Sequence, residues 1–221
     1  MSKLNRSILF FTLFSTPIIA QTEKETKHFQ NPPIIMEAMI GSRGVMHQLI
    51  VNKKFSSIPQ LGFFSVTYGT ATWEKEISPG IMTQAHLTYS LIKGLDVSLG
   101  MQYSPVNRFR PVAGLVYSYT TPKLLIVLNP KFDLVDDYAS QNLAIFEYKP
   151  KLNDNLNFYT RFQGLYGFVP ESGNHSRSYI MLRAGLNYKE FSFGAASNFD
   201  WYGPRKQNEN SFGLFINALL F

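Results

Sequence analysis

LNFYTRFQGLYGF (residues 156–168) and SYIMLRAGLNYK (residues 178–189) decide how the rest of the chain is read. In the first, Leu156, Phe158, Phe162, Tyr166 and Phe168 share the even positions, while Asn157, Tyr159, Arg161 and Gln163 take odd ones. In the second, Ile180, Leu182, Ala184, Leu186 and Tyr188 are even, and Arg183, Asn187 and Lys189 are odd. A period of two over this length is an extended strand whose side chains alternate between two environments. One face is apolar and the other is wet.

The same alternation extends outward in both directions. Toward the N-terminus it predicts strands at 141–150, 124–132, 112–121, 95–104, 81–91, 61–71, 45–55 and 34–40, and toward the C-terminus at 191–201 and 211–221. Gly41 and Gly44 bracket a reversal at Ser42 and Arg43, and Ile92, Lys93 and Gly94 form a three-residue hairpin loop with glycine at the left-handed position. Pro59 predicts a turn over Ser56 to Gln60, and Val169 to Arg177 reads as a polar loop. The count is twelve strands joined alternately by short turns and longer loops, with ten as the competitor if 34–40 and 45–55 do not both enter the wall. An even number returns both ends of the chain to one side of a closed barrel.

Net charge +6 without clustered Lys or Arg gives no footprint for nucleic acid, and no cysteine is present for a disulfide or a lipid anchor. The opening MSKLNRSILFFTLFSTPIIA has Lys3 and Arg6 before an apolar run from Ile8 to Ala20, the outline of a secretory signal ending at residue 20. A membrane anchor is the alternative, but Pro17 interrupts a short core. Residues 21–33 read as a flexible periplasmic lead, and 34–221 as the barrel. Beyond the signal no apolar stretch reaches the 18 to 20 or so residues of a membrane helix, so a membrane form must cross as a closed sheet. Aromatics near the ends of the apolar faces (Tyr89, Tyr103, Tyr119, Tyr148, Tyr188, Trp201) suit interfacial girdles. Charged residues in mid-strand (Glu147, Arg161, Arg183) suit a watery or charge-paired lumen. A soluble sandwich or lipocalin-like barrel, with the apolar faces turned inward, is the competing fold.

The final strand, SFGLFINALLF, ends on Phe221 and resembles the C-terminal signature by which outer-membrane barrels are recognised for insertion. That resemblance implies handling by the barrel assembly machinery and contact with outer-membrane lipid and lipopolysaccharide. The face with Phe215, Leu219 and Phe221 also carries Asn217, whereas Phe212, Leu214, Ile216, Ala218 and Leu220 form a cleaner apolar face, so the lipid-facing side is open. Across nearly all of the mature chain the pattern resembles the small exported barrel proteins of Bacteroidota.

Two constellations could carry function. If residues 153–155 turn so that Leu152 lies opposite Leu156, Glu147 falls across from Arg161, and Arg183 on the next strand can join them. This cluster reads either as a selectivity filter or as a polar plug. Gln84, His86, Gln102, Lys149, Gln163, Asn198 and Asp200 complete the expected polar lining, which would pass or hold a small polar solute. The second constellation is Asn174, His175, Ser176 and Ser178 in the loop before residue 178, where a serine and histidine with a third orienting group would suit a lipid hydrolase. Resemblance to outer-membrane lipid-A deacylases and phospholipase is architectural alone. Arg108 and Arg110, flanking Phe109, read as a solvated loop within reach of lipopolysaccharide. No cofactor motif, metal-ligand spacing or phosphate loop is present, and the chain is expected to be a non-enzymatic outer-membrane barrel, either a narrow pore or a structural and surface-interaction protein.

Overall fold

The computed structural model describes residues 31–74, 80–135 and 138–221. The expected signal and the lead as far as Gln30 lie outside the described residues, as do Asp136 and Asp137 of the loop expected after residue 132. Asn31 to Pro33 are tied down: the Asn31 side chain donates to the Lys54 carbonyl at 3.0 Å and accepts from its amide at 2.7 Å, and Lys53 Nζ donates to the Pro32 carbonyl at 2.7 Å.

Twelve strands follow in chain order: β1 (Ile34–Gly41), β2 (Gly44–Phe55), β3 (Ile58–Thr72), β4 (Gly80–Ile92), β5 (Leu95–Ser104), β6 (Arg108–Thr120), β7 (Leu124–Asp133), β8 (Ser140–Tyr148), β9 (Leu156–Phe168), β10 (His175–Tyr188), β11 (Phe191–Tyr202) and β12 (Gln207–Leu220). Each pairs antiparallel with its sequence neighbours, and β1 pairs with β12, which closes the barrel. The alternative of ten strands is excluded because β1 and β2 are both in the wall, in register from Ile35↔Ile50 to Gly41↔Gly44. Closure leaves no sheet edge, so every strand has a ladder on both sides.

The outer surface is apolar. Met36, Ile40, Leu87, Leu99, Leu115, Phe146, Phe162, Leu182, Phe193, Leu214 and Ile216 are all exposed. Exposed aromatics gather at both ends of this band: Tyr89, Tyr119, Tyr148, Tyr188 and Phe191 at the end where β1 begins and β12 ends, and Trp73, Phe109, Tyr138, Tyr166 and Phe212 at the other. A soluble barrel would strand these side chains in water, whereas a lipid-spanning one requires them there. The apolar faces expected for β4, β5, β6, β9, β10 and β11 therefore point outward, and β12 turns its even face out.

In β3 the apolar face is the inner one. Phe64, Val66 and Tyr68 point into the barrel and join Met39, Ile50, Val116, Val127, Leu143, Ile145, Tyr159, Leu165, Met181 and Phe215 in a continuous core. Of the two lumens expected from the sequence, watery or charge-paired, the interior is of the second kind, with buried ion pairs beside this apolar core. Alternation conceals this in β3, whose outer positions carry Phe63, Ser65 and Thr67, so neither face stands out as polar.

Several boundaries also shift. Pro59 lies inside β3 and not in a turn: a bulge between Lys54 and Phe55 leaves residues 59 and 60 outside the β2 register, and β4 pairs only from Leu61 onward. A proline amide is not missed where no ladder bond is due. The hairpin between β4 and β5 has two loop residues, Lys93 and Gly94, because a bulge between Ser90 and Ile92 absorbs the third. Gly94 has the expected left-handed φ of 84°. Gly94→Ala should lower stability by about 1 kcal/mol, since alanine resists that conformation. A fall in the denaturant midpoint of the refolded barrel checks this.

Candidate functional site

The inward faces of β1, β2, β9, β10 and β11 build a polar strip centred on Glu37. Its carboxylate accepts from Arg161 Nη1 at 3.2 Å through Oε2, and from Arg183 Nε and Nη2 at 2.9 and 2.8 Å through Oε1. All three residues are buried. Arg161 Nη2 also donates to Gln48 at 2.8 Å and to Gln163, and Gln163 Nε2 donates to the Tyr179 hydroxyl oxygen at 3.0 Å. Arg183 Nη1 donates to Asn198 Oδ1 at 2.8 Å and to two backbone carbonyls, those of Leu182 and Ser197. Two guanidinium groups against one carboxylate leave the centre with a surplus positive charge.

The register puts Glu147 directly across from Arg161, and Arg161 across from Arg183. The expected Glu147–Arg161 ion pair is nevertheless not the contact made. Glu147 accepts from the Tyr159 hydroxyl at 2.8 Å and pairs with Lys149 at 2.7 Å, while both arginines turn to Glu37. Directly opposed side chains on a sheet point the same way and leave little room for a long guanidinium to fold back. Glu37 sits across the bore, where an extended arginine meets it end-on.

The strip continues toward both mouths. At the end where β1 begins and β12 ends it runs through Tyr159, Glu147 and Lys149, and at the loop end through Asn198 to Asp200 and Arg177. Asp200 Oδ1 accepts from Arg177 Nε and Nη2 at 3.2 and 2.8 Å. The Arg177 guanidinium lies 5.4, 5.2 and 4.9 Å from the rings of Tyr68, Tyr179 and Tyr202, a cation–π cage that fixes its position.

A second polar cluster lies on the opposite wall. Lys131, from β7, donates to the side-chain oxygens of Gln84 and, at 2.6 Å, Gln102. Gln102 Nε2 donates to Asp133 at 2.7 Å, and Arg110 pairs with the same carboxylate at 3.0 Å. Arg110 therefore belongs to β6 and the lumen, and Arg108 opens that strand; neither lies in the loop expected from the sequence. His86 faces inward as expected, but it packs near Phe64 with ring centroids 6.1 Å apart, and neither of its nitrogens has a hydrogen-bond partner among the described residues. Lys131 and Glu37 were missed as site residues in the sequence; the partners of each lie on strands two or more places away around the wall, which no local pattern shows.

His175 and Ser176 open strand β10 and do not lie in a loop. A bulge between His175 and Ser178 turns the imidazole onto Ser178, with Nε2 2.9 Å from Oγ, and its Nδ1 lies 2.7 Å from the Gly203 carbonyl oxygen. The serine in contact is thus Ser178 and not Ser176, and the group orienting the ring is a backbone carbonyl in place of the carboxylate or amide a hydrolase would use. Asn174 accepts at its backbone carbonyl from Val169 and its side chain does not join the pair. Phe221 follows the last strand and is exposed.

No protein-family model matches the sequence, and no curated protein does. Among solved structures, the NanC porin is similar over 85% of this chain and 100% of its own, with 12% identity and a TM-score of 0.48. The KdgM porin is similar over 84% of this chain and 97% of its own, at 12% identity and a TM-score of 0.43. OprD of Pseudomonas aeruginosa is similar over 80% of this chain and 59% of its own, at 12% identity and a TM-score of 0.40. Likeness this distant is silent on what the present chain binds.

Proposed function

We propose that this chain is an integral barrel of a Gram-negative outer membrane, exported by the signal at residues 1–20, that stands shut at rest over a latent narrow pore. The observation supporting this reading is the pairing of an apolar outer band with an interior whose polar strip, from Lys149 to Arg177, is closed at its middle by Glu37 and two arginines. The second polar cluster, around Lys131, Gln102 and Asp133, also faces the bore, and the apolar core occupies the rest of it. β1 begins and β12 ends at one end of the barrel, which faces the periplasm; the β3–β4, β7–β8, β9–β10 and β11–β12 loops face outward. Kinship with the small exported barrels of Bacteroidota rests on the strand pattern, and insertion through the assembly machinery on the strand that ends at Phe221.

Protein extracted from purified outer membranes is expected to show heat-dependent gel mobility and, in a planar bilayer, no steady conductance. A soluble periplasmic protein would overturn the membrane reading. Steady conductance from the unaltered chain would overturn the shut bore alone.

A further inference from the structure

At the loop end, between the β1–β2 turn and the ends of β3, β11 and β12, the barrel mouth holds a shallow cleft. Its lining includes Met39, Met46, Tyr68 and Asn198, and its rim carries Arg43, Asp200 and Glu209. Asp200 and Glu209 are direct cross-strand partners, so two carboxylates stand side by side. They differ in availability. Asp200 is committed to the caged Arg177, whereas Glu209 faces Arg43 across 3.4 Å with the two side chains 46% and 38% exposed. An ion pair that open is worth about 0–1 kcal/mol, so a ligand displaces it at small loss.

The arginine is nonetheless well placed. Its backbone is held on both sides, by Ser42 N donating to the Phe212 carbonyl at 2.8 Å and by Trp73 N donating to the Arg43 carbonyl at 3.0 Å. Trp73 Nε1 donates to the Gly41 carbonyl at 3.0 Å as well. A charge pre-positioned in this way loses little freedom on binding.

Charge selects among ligands. A simple anion meets the carboxylates of Glu209 and Asp200, and a simple cation meets Arg43. A neutral sugar separates Arg43 from Glu209 and desolvates both without a counter-charge. A molecule with its own ammonium and carboxylate answers both groups, and Met39 and Met46, buried at 2% and 3% exposure, form the apolar floor that its side chain would meet. We propose that this cleft binds a small zwitterion with an apolar side chain, an amino acid or dipeptide. Its carboxylate sits at Arg43, its ammonium at Glu209, and its side chain against Met39 and Met46. The site needs only the loop-end mouth, so it stands apart from whether the bore conducts.

The test is calorimetric titration of the full chain in detergent with leucyl-leucine, its N-acetylated form, its C-terminal amide and maltose. Saturable binding of the dipeptide is expected, about tenfold weaker for either blocked form, and none for maltose. Arg43→Ala should weaken the dipeptide about tenfold yet leave the amide unchanged, and Glu209→Gln should do the mirror image with the N-acetylated form. Glu171→Ala, in the β9–β10 loop, should change nothing, and heat-modifiable mobility establishes that each variant retains the barrel. Absence of saturable dipeptide binding, equal affinity for the blocked forms, or binding of maltose overturns the proposal.

Discussion

Glu37→Ala should convert a silent barrel into one that conducts with a preference for anions. Glu37 is 2% exposed and is the carboxylate that both Arg161 and Arg183 reach. Removing one side of a buried ion pair costs about 3–5 kcal/mol because the opposite charge stays behind uncompensated, and here two guanidinium groups are left. Their remaining acceptors, Gln48 and Gln163 for Arg161 and Asn198 for Arg183, are neutral amides that bond without cancelling charge. Inside a closed sheet the barrel wall cannot move away, so relief comes from water around Arg183 and from Arg161 turning to Glu147, its cross-strand neighbour. The missing carboxylate enlarges a gap already lined by Arg161, Gln163, Met181 and Arg183, and hydration would extend the polar strip through the middle of the bore. Planar-bilayer recording should then show steady steps absent from the parent, with a reversal potential in a salt gradient displaced toward the anion, and the denaturant midpoint should fall. A Glu37→Ala barrel as silent and as stable as its parent would sink this reading. Replacing Glu37, Arg161 and Arg183 together by leucine removes every charge at once and is expected to stay silent without loss of stability, as buried ion triads replaced by apolar groups often do. Stability lost in the triple variant would mean that the cluster is needed for folding.

How much of this was legible in the sequence depends on the distance over which the information had to travel. The alternation within β9 and β10 needs only neighbouring residues, and it gave the strands and their outward faces. The Glu147–Arg161 register needs one turn, and counting across residues 153–155 places the pair correctly, with Leu152 N and Asn153 N both donating to the Leu156 carbonyl at 3.0 Å. The partner of Arg161 is 124 residues away and that of Arg183 is 146, because β1 enters the wall only when it closes on β12. No local pattern carries that contact. The one trace was a lone acid on the inner face of β1, with no basic residue near it in the chain. Around His175 the obstacle is different: a single bulge decides that Ser178 and not Ser176 meets the imidazole, and bulges leave no mark in a period-two reading. The apolar part of the core escaped notice because mid-strand charges suggest a lumen filled by water or by paired charge, and give no sign of the apolar side chains that share it.

Leu214→Arg should block or destabilise insertion by about 2–4 kcal/mol, the expense of an arginine on the lipid face at mid-bilayer. Residue 214 lies at the middle of β12, and its side chain is 69% exposed, while the next one, Phe215, is 4% exposed and packs against Tyr159 with ring centroids 5.4 Å apart. Sequence left this strand open, since both faces are apolar and one holds Asn217. The structure separates them: Asn217 points inward opposite Glu37, where its Nδ2 finds no hydrogen-bond partner among the described residues. Asn217→Leu should accordingly be neutral or mildly stabilising, because an apolar group replaces a buried amide whose donor is unbonded. A one-residue change of parity reverses every such expectation along the strand. Refolding the two variants into lipid vesicles and comparing denaturant midpoints with the parent therefore tests the orientation of the wall itself. Destabilisation by Asn217→Leu together with tolerance of Leu214→Arg would turn β12 inside out, and with it the assignment of the Glu37 cluster to the lumen, since Glu37 and Asn217 are paired across the ladder that closes the barrel.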